Sequence, residues 1–220
     1  MKIKIKLSEL LYFSAFFIWL LFNFIAQTNL VHKYPEIYRF RIVAMIVSII
    51  ILLIKLLLER HSSKFLIFFF SSFCLSIIIG ITTHKLFDAL TIISTILFVI
   101  SISNVNFRKV LILWTVSIVL LMISIYGLLK LGIIENTLRV QLGGRFRFSQ
   151  GYQYVSLGAN YLFHLTLVYL YLRKSKIRLS EILMLGILNY YFYVNTDTKS
   201  AFFLSILALV LVYIFKNKVV

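Results

Sequence analysis

Apolar residues along this chain come in long unbroken runs, with polar and charged residues confined to the short gaps between them. In order, the runs cover residues 10–26, 42–58, 65–81, 86–102, 110–129, 155–172, 182–194 and 201–215. An α-helix rises about 1.5 Å per residue, so about 20 apolar residues cross a hydrocarbon core about 30 Å thick. The pattern therefore predicts an all-α polytopic integral membrane protein of about eight transmembrane helices, forming a single membrane domain over residues 1–220. The fourth run carries Asp88 and several Ser and Thr, and the seventh is short unless it takes in Leu179 and Asn195. A soluble helical bundle would need polar faces at the helical period, whereas these runs are apolar nearly all round.

Composition changes this picture little. Hydrophobic residues make up 61% of the 220 and there is a single Pro, so neither a Pro/Ser-rich linker nor a long charge run marks a second domain. No internal repeat at a fixed period is evident. Lys2, Lys4 and Lys6 precede the first run much as in a signal peptide. That run is long, however, and no A-x-A-like site follows, so it reads as an uncleaved first span.

A net charge of +16 would suggest nucleic acid as a partner of a soluble protein. Here Lys and Arg sit in short gaps, where they set membrane topology, and no nucleic-acid partner is expected. With the N-terminus and C-terminus cytoplasmic, fourteen of the 23 basic residues fall on the inner side, including Lys55, Arg60, Lys64, Arg108, Lys109, Lys216 and Lys218. Nine fall outside, and four of these, Lys130, Arg139, Arg145 and Arg147, occupy the one segment between the fifth and sixth runs. Lys55, near the inner end of its run, is expected to snorkel to the interface. The lone Cys74 lies inside a run, has no disulfide partner and reads as a small core residue.

Familiar soluble catalytic signatures are missing from the sequence: no G-x-x-x-x-G-K-[ST], H-E-x-x-H, C-x-x-C or G-x-S-x-G occurs. His32, His61, His84 and His164 lack metal-ligand spacing, and the seven acidic residues are scattered, so neither a metal nor another cofactor is expected.

Candidate chemistry concentrates in Gly143-Gly144-Arg145-Phe146-Arg147-Phe148-Ser149-Gln150-Gly151-Tyr152 and on to Asn160, a basic, Gly-punctuated, aromatic segment in an apolar chain. If extended, it sets Arg145 and Arg147 on one face and Phe146 and Phe148 on the other. A guanidinium fork binds phosphate or carboxylate oxygens in bidentate fashion; contact with lipid phosphates is the plainer use. The sixth and eighth spans run inward, so their N-termini, which favour anions, lie near this segment. Gly158 and Asn160 are expected to cap or break the start of the sixth. Asn195-Thr196-Asp197-Thr198 supplies capping residues before the eighth, and Lys199 adds a cation. His164 follows Asn160 by four residues, on the same helix face, which suits a polar helix–helix contact or a ligand or proton-transfer role. Tyr152, Tyr154 and Tyr161, like Tyr190, Tyr191 and Tyr193, suit an interfacial belt or stacking on sugar rings.

In pattern and order, the last third of the chain resembles the O-antigen and capsular or exopolysaccharide repeat-unit polymerases of the O-antigen polymerase and ligase superfamily. The residues carrying the likeness are Arg147, Gly151-Tyr152, Tyr154 and Asn160 ahead of an inward-running helix, then the basic turn Arg173-Lys174-Ser175-Lys176. Asn195 to Phe202 then occupies the place of an outer Thr/Ser-rich element. Gly158-Ala159-Asn160 stands in place of the family's usual His-Pro-Asn or Pro-Asn, and eight spans are fewer than is common, so the resemblance implies a truncated or minimal member. The resemblance implies glycosyl transfer at the outer face of the bacterial cytoplasmic membrane, from a polyprenyl diphosphate carrier to a new lipid-linked repeat unit. It implies catalytic roles for Arg147 and Asp197, and substrate binding by Arg145, Tyr152, Tyr154, Asn160, His164 and Lys199. Glu135 is the second acidic candidate for the base, though it reads more simply as a solvated loop charge. Expected partners are a polyprenyl-diphosphate-linked oligosaccharide, membrane lipids and polysaccharide-assembly proteins. Two other classes compete: a transporter or flippase of lipid-linked oligosaccharide, which would place charged or helix-breaking residues near the midplane, and a non-enzymatic membrane protein binding anionic lipid or polymer.

Overall fold

A computed structural model describes residues 7–59, 63–83, 86–141, 144–173 and 176–215. Outside the described residues lie Lys2, Lys4, Lys6, Arg60, His61, His84, Gly143, Lys174, Ser175, Lys216 and Lys218, as do the side chains of Lys64 and Asp88. The described chain is mostly helical: α1 (Leu7–Ile25), α2 (Leu30–Lys33), α3 (Ile37–Leu58), α4 (Ser63–Thr83), α5 (Leu86–Ile100), α6 (Phe107–Lys130), α7 (Leu157–Arg173), α8 (Leu179–Thr196) and α9 (Lys199–Phe215). A helix overlies each apolar run. Among the described residues, α1, α3 and α6 are long and apolar enough to cross a membrane, and the apolar helices Ile67–Ile79, Ala89–Ile100 and Lys199–Phe215 are shorter. One element departs from the all-α expectation: β1 (Leu138–Gln141) and β2 (Arg145–Phe148) pair as an antiparallel hairpin. The seventh run does extend to Leu179 and Asn195, as part of α8.

The chain divides into two compact units, residues 1–26 with 34–114, and residues 27–33 with 115–220. In the first, α1 packs along α3, α3 on α5, and α5 on α4. Small residues let the α1 and α3 backbones approach: Ala15, Ala44 and Ser48 are buried, and Ser48 Oγ donates to the carbonyls of Ala15 (3.0 Å) and Ala44 (2.8 Å). Interfaces without a hydrophobic driving force are built this way, from small side chains and polar bonds. Around them Tyr12, Leu52, Leu97 and Phe98 form the core, with Trp19 Nε1 donating to Ser94 Oγ at 3.1 Å.

Two expectations about this unit are corrected. Lys55 does not snorkel: its side chain is fully buried, paired with Glu59 at 2.9 Å, and its Nζ also donates to the Ser103 carbonyl at 3.3 Å. The carboxylate of Glu59, the extended residue that caps the C-terminal end of α3, satisfies the ammonium inside the unit, and Ser8 Oγ donates to that same carboxylate at 2.6 Å. Cys74 is exposed and not a core residue, on a helix that packs against α5.

In the second unit α7, α8 and α9 pack on one another, and β2 lies against α8. Leu170, Ile177, Leu185 and Leu209 form one buried cluster. Buried Asn189 ties the helices, its Nδ2 donating to Thr166 Oγ1 on α7 at 3.0 Å.

Candidate functional site

The hairpin brings the basic segment to the turn between α8 and α9. β2 is preceded by Gly144 (φ +74) and followed by two left-handed residues, Gln150 (φ 53) and Gly151 (φ 87). A Cβ on Gly151 would also stand 3.0 Å from Ile125, so glycine is needed for both the backbone angle and the close approach to α6. The register places Arg139 opposite Arg147. Directly opposed like charges repel, and these two separate. The Arg139 guanidinium lies 5.8 Å over the Tyr154 ring and donates to the Gln153 carbonyl at 3.3 Å. Arg147 reaches the other way, its Nε donating to the Thr196 carbonyl at 2.6 Å and its Nη2 to Thr198 Oγ1 at 3.4 Å. Two residues along, Arg145 Nη1 pairs with Asp197 Oδ2 at 3.4 Å.

The α8–α9 turn differs from the expectation that the stretch Asn195 to Thr198 supplies capping residues to the last helix alone. Asn195 and Thr196 instead complete α8, their side chains donating back to the carbonyls of Tyr191 (2.8 Å) and Phe192 (2.7 Å). Asp197 then closes α8 from its C-terminal side in a left-handed conformation (φ 47, ψ 36), its N–H donating to the Tyr193 carbonyl at 2.8 Å. Asp is among the few non-glycine residues that tolerate this conformation. The cationic Arg147 meets the carbonyl end of α8, where the helix dipole is negative.

Arg145, Phe146, Tyr193, Val194, Asp197 and Lys199 surround a groove of about 400 Å³. Its aromatic wall is held by stacking of Tyr193 on Phe202, centroids 4.6 Å apart and planes 16° apart. Lys199, exposed at the first residue of α9, makes no ion pair among the described residues. The groove thus offers a free ammonium, a guanidinium and one carboxylate beside an apolar ring face, which suits an anionic group attached to a sugar or other flat apolar surface.

The other residues singled out from sequence sit elsewhere. Tyr152 is buried, 2% exposed, beneath Gly158, where an added Cβ would lie 3.0 Å from the Tyr152 ring and 2.9 Å from Phe192. Burial, with Tyr161 close by, pushes its hydroxyl pKa upward. Gly158 therefore serves close packing within α7 and is not a cap. Tyr154 is exposed beneath Arg139, and His164 Nδ1 bonds the backbone carbonyl of Asn160 at 2.7 Å, leaving the Asn160 side chain out of that pair. Glu135 contributes its main-chain carbonyl to Asn29 Nδ2 at 2.9 Å. Among the described residues no three His, Cys, Asp or Glu side chains gather as metal ligands do.

Three residues that support the hairpin carry no sequence signal. Ser149 Oγ accepts from the Thr137 N–H (3.0 Å) and from Asn29 Nδ2 (3.2 Å), the Asn29 N–H donates to the Gly151 carbonyl (2.8 Å), and Gln27 Oε1 accepts from the Tyr161 hydroxyl (2.8 Å). These partners lie more than 100 residues from Gln27 and Asn29 in sequence, beyond any local pattern. Neither a protein-family model, a curated protein nor a solved structure matches this chain.

Proposed function

We propose that this chain is a multi-pass membrane glycosyltransferase of the repeat-unit polymerase kind, using the groove between β2 and the α8–α9 turn. The observation supporting it is the arrangement of Arg145 and Lys199 around Asp197 against the Tyr193 ring. With eight helices threading the bacterial cytoplasmic membrane and both termini cytoplasmic, this groove opens on the outer face, where a polyprenyl-diphosphate-linked glycan is presented.

An acceptor hydroxyl of the new lipid-linked repeat unit attacks the anomeric carbon of the growing glycan, and the bond from that carbon to the diphosphate oxygen breaks. The electron pair leaves on the diphosphate, whose charge Arg145 and Lys199 stabilise, and the hydroxyl proton passes to Asp197. Arg145 holds that carboxylate. An incoming diphosphate competes for the guanidinium and frees Asp197 for the proton. Arg147, bonded to the turn, is a positioning residue in this scheme. Activation resides in the anomeric phosphate ester, so no nucleotide is required.

The test is the size profile of lipid-linked glycan in a host lacking its own polymerase. The parent chain should restore a ladder of repeats, while Lys199→Ala and Asp197→Asn, at equal membrane abundance, should leave single units. A ladder from both variants, or none from the parent chain once it has reached the membrane, would refute the proposal.

A further inference from the structure

Apart from the arginine groove, and independent of the reaction just proposed, the second unit carries an apolar cleft beside a polar cavity. An apolar cleft of about 400 Å³ follows the end of α6 along Val119, Ile123 and Tyr126, faced by Leu165 and Leu188. Gln150, Tyr126 and Tyr191 line it and also line a polar cavity of about 400 Å³ with Lys130, Asn136 and Asn195. The three shared side chains stand at the boundary of the two spaces, which lie side by side.

Depth identifies what reaches these two spaces. The helix α6 is one of those long and apolar enough to cross a membrane, and Lys130 ends it. From Val119 to Lys130 the helix rises about 16 Å at 1.5 Å per residue, roughly half of a 30 Å hydrocarbon core. The cleft therefore runs through one leaflet and the polar cavity lies at head-group level. Ile123 is 64% exposed, so the cleft is open at the side, where hydrocarbon chains are the surrounding solvent.

The polar end has its own demands. Lys130 is a cation held 5.4 Å over the Tyr126 ring, at the level where anionic phosphates lie. Gln150 Oε1 is buried with no hydrogen-bond partner, and a buried acceptor of this kind calls for a donor. We infer that the cleft and the neighbouring cavity together bind one anionic phospholipid of the leaflet at the Lys130 end. Its acyl chain fills the apolar cleft, its phosphate pairs with Lys130, and a hydroxyl of its head group donates to Gln150.

The experiment places the full chain in nanodiscs of phosphatidylcholine containing a trace of phosphatidylglycerol with a photoreactive diazirine in its acyl chain. Labelled peptides are then mapped. Label should concentrate on residues 119–126 and 188–192, and unlabelled phosphatidylglycerol, not extra phosphatidylcholine, should compete it away. Lys130→Gln should lower that label about fivefold. Ile123→Trp, which fills the cleft, should remove it while label on α1 and α3 persists. Label spread evenly over α1, α3 and α6 and indifferent to Lys130→Gln would mean lipid of the general annulus and overturn the inference. Displacement by a polyprenyl phosphate at far lower concentration than phosphatidylglycerol would also overturn it, by assigning the cleft to an isoprenoid.

Discussion

Arg147→Ala removes both guanidinium bonds from the α8–α9 turn at once. Thr196 is fully buried, and its carbonyl accepts from Arg147 Nε at 2.6 Å, whereas Thr198 Oγ1 stands 3.5 Å away, at the limit of hydrogen bonding. A hydrogen bond from a charged donor contributes about 1.5–3 kcal/mol, and an orphaned buried acceptor costs about 1–3 kcal/mol; these describe the same loss and do not add. The expected destabilisation is therefore about 2 kcal/mol. Arg147→Lys should recover less than half, because an ammonium lacks the planar fork that spans both acceptors. The assay is reversible unfolding in mixed micelles followed by helical circular dichroism, with amide exchange across the first turn of α9 as the local readout. Exchange there should quicken in Arg147→Ala and stay unchanged in Lys199→Ala, which removes a charge but no bond to the turn. If Arg147→Ala unfolds within about 0.5 kcal/mol of the parent and exchange is unaltered, the guanidinium does not tie the turn, and the positioning role given to it fails.

Gly158→Ala should cost about 1–3 kcal/mol by overpacking, since its new Cβ would meet Tyr152 and Phe192 at about 3 Å; the same unfolding assay reads it, and Gly186→Ala, with nothing within 4 Å, is the control. Lys55→Met should cost about 3–5 kcal/mol, because it leaves the Glu59 carboxylate nearly buried without its cation, and adding Glu59→Gln should recover most of that; thermal midpoints of the single and double variants decide it.

Much of the helical architecture was legible in the sequence, because runs of apolar residues broken by short polar gaps are a local property and each run satisfies its own backbone as a helix. The shared face of Arg145 and Arg147 was legible for the same reason: strand alternation needs only adjacent residues. The hairpin itself was not, since its pairing joins residues across a turn with no marked strand pattern on the β1 side. Lys55 was misjudged because an ammonium at the end of an apolar run looks alike whether it reaches for water or for a carboxylate; the Ser8, Glu59 and Ser103 contacts that decide it come from three parts of the chain.

The candidate site divides along the same line. Sequence alone determined that a basic, aromatic segment lies between two apolar helices and that a polar turn with Asp197 and Lys199 lies between two later ones. Only the tertiary structure decided that these meet, through Arg145 and Asp197, 52 residues apart, and Arg147 and Thr196, 49 apart. It also divided the arginines between two uses, one open to the groove and one bonded to the end of α8, and buried Tyr152 beneath Gly158. The physical reason is that hydropathy and helix-forming tendency act within a few residues of chain. The partner of a guanidinium, or of a glycine's bare face, is whatever packing brings within a few ångströms.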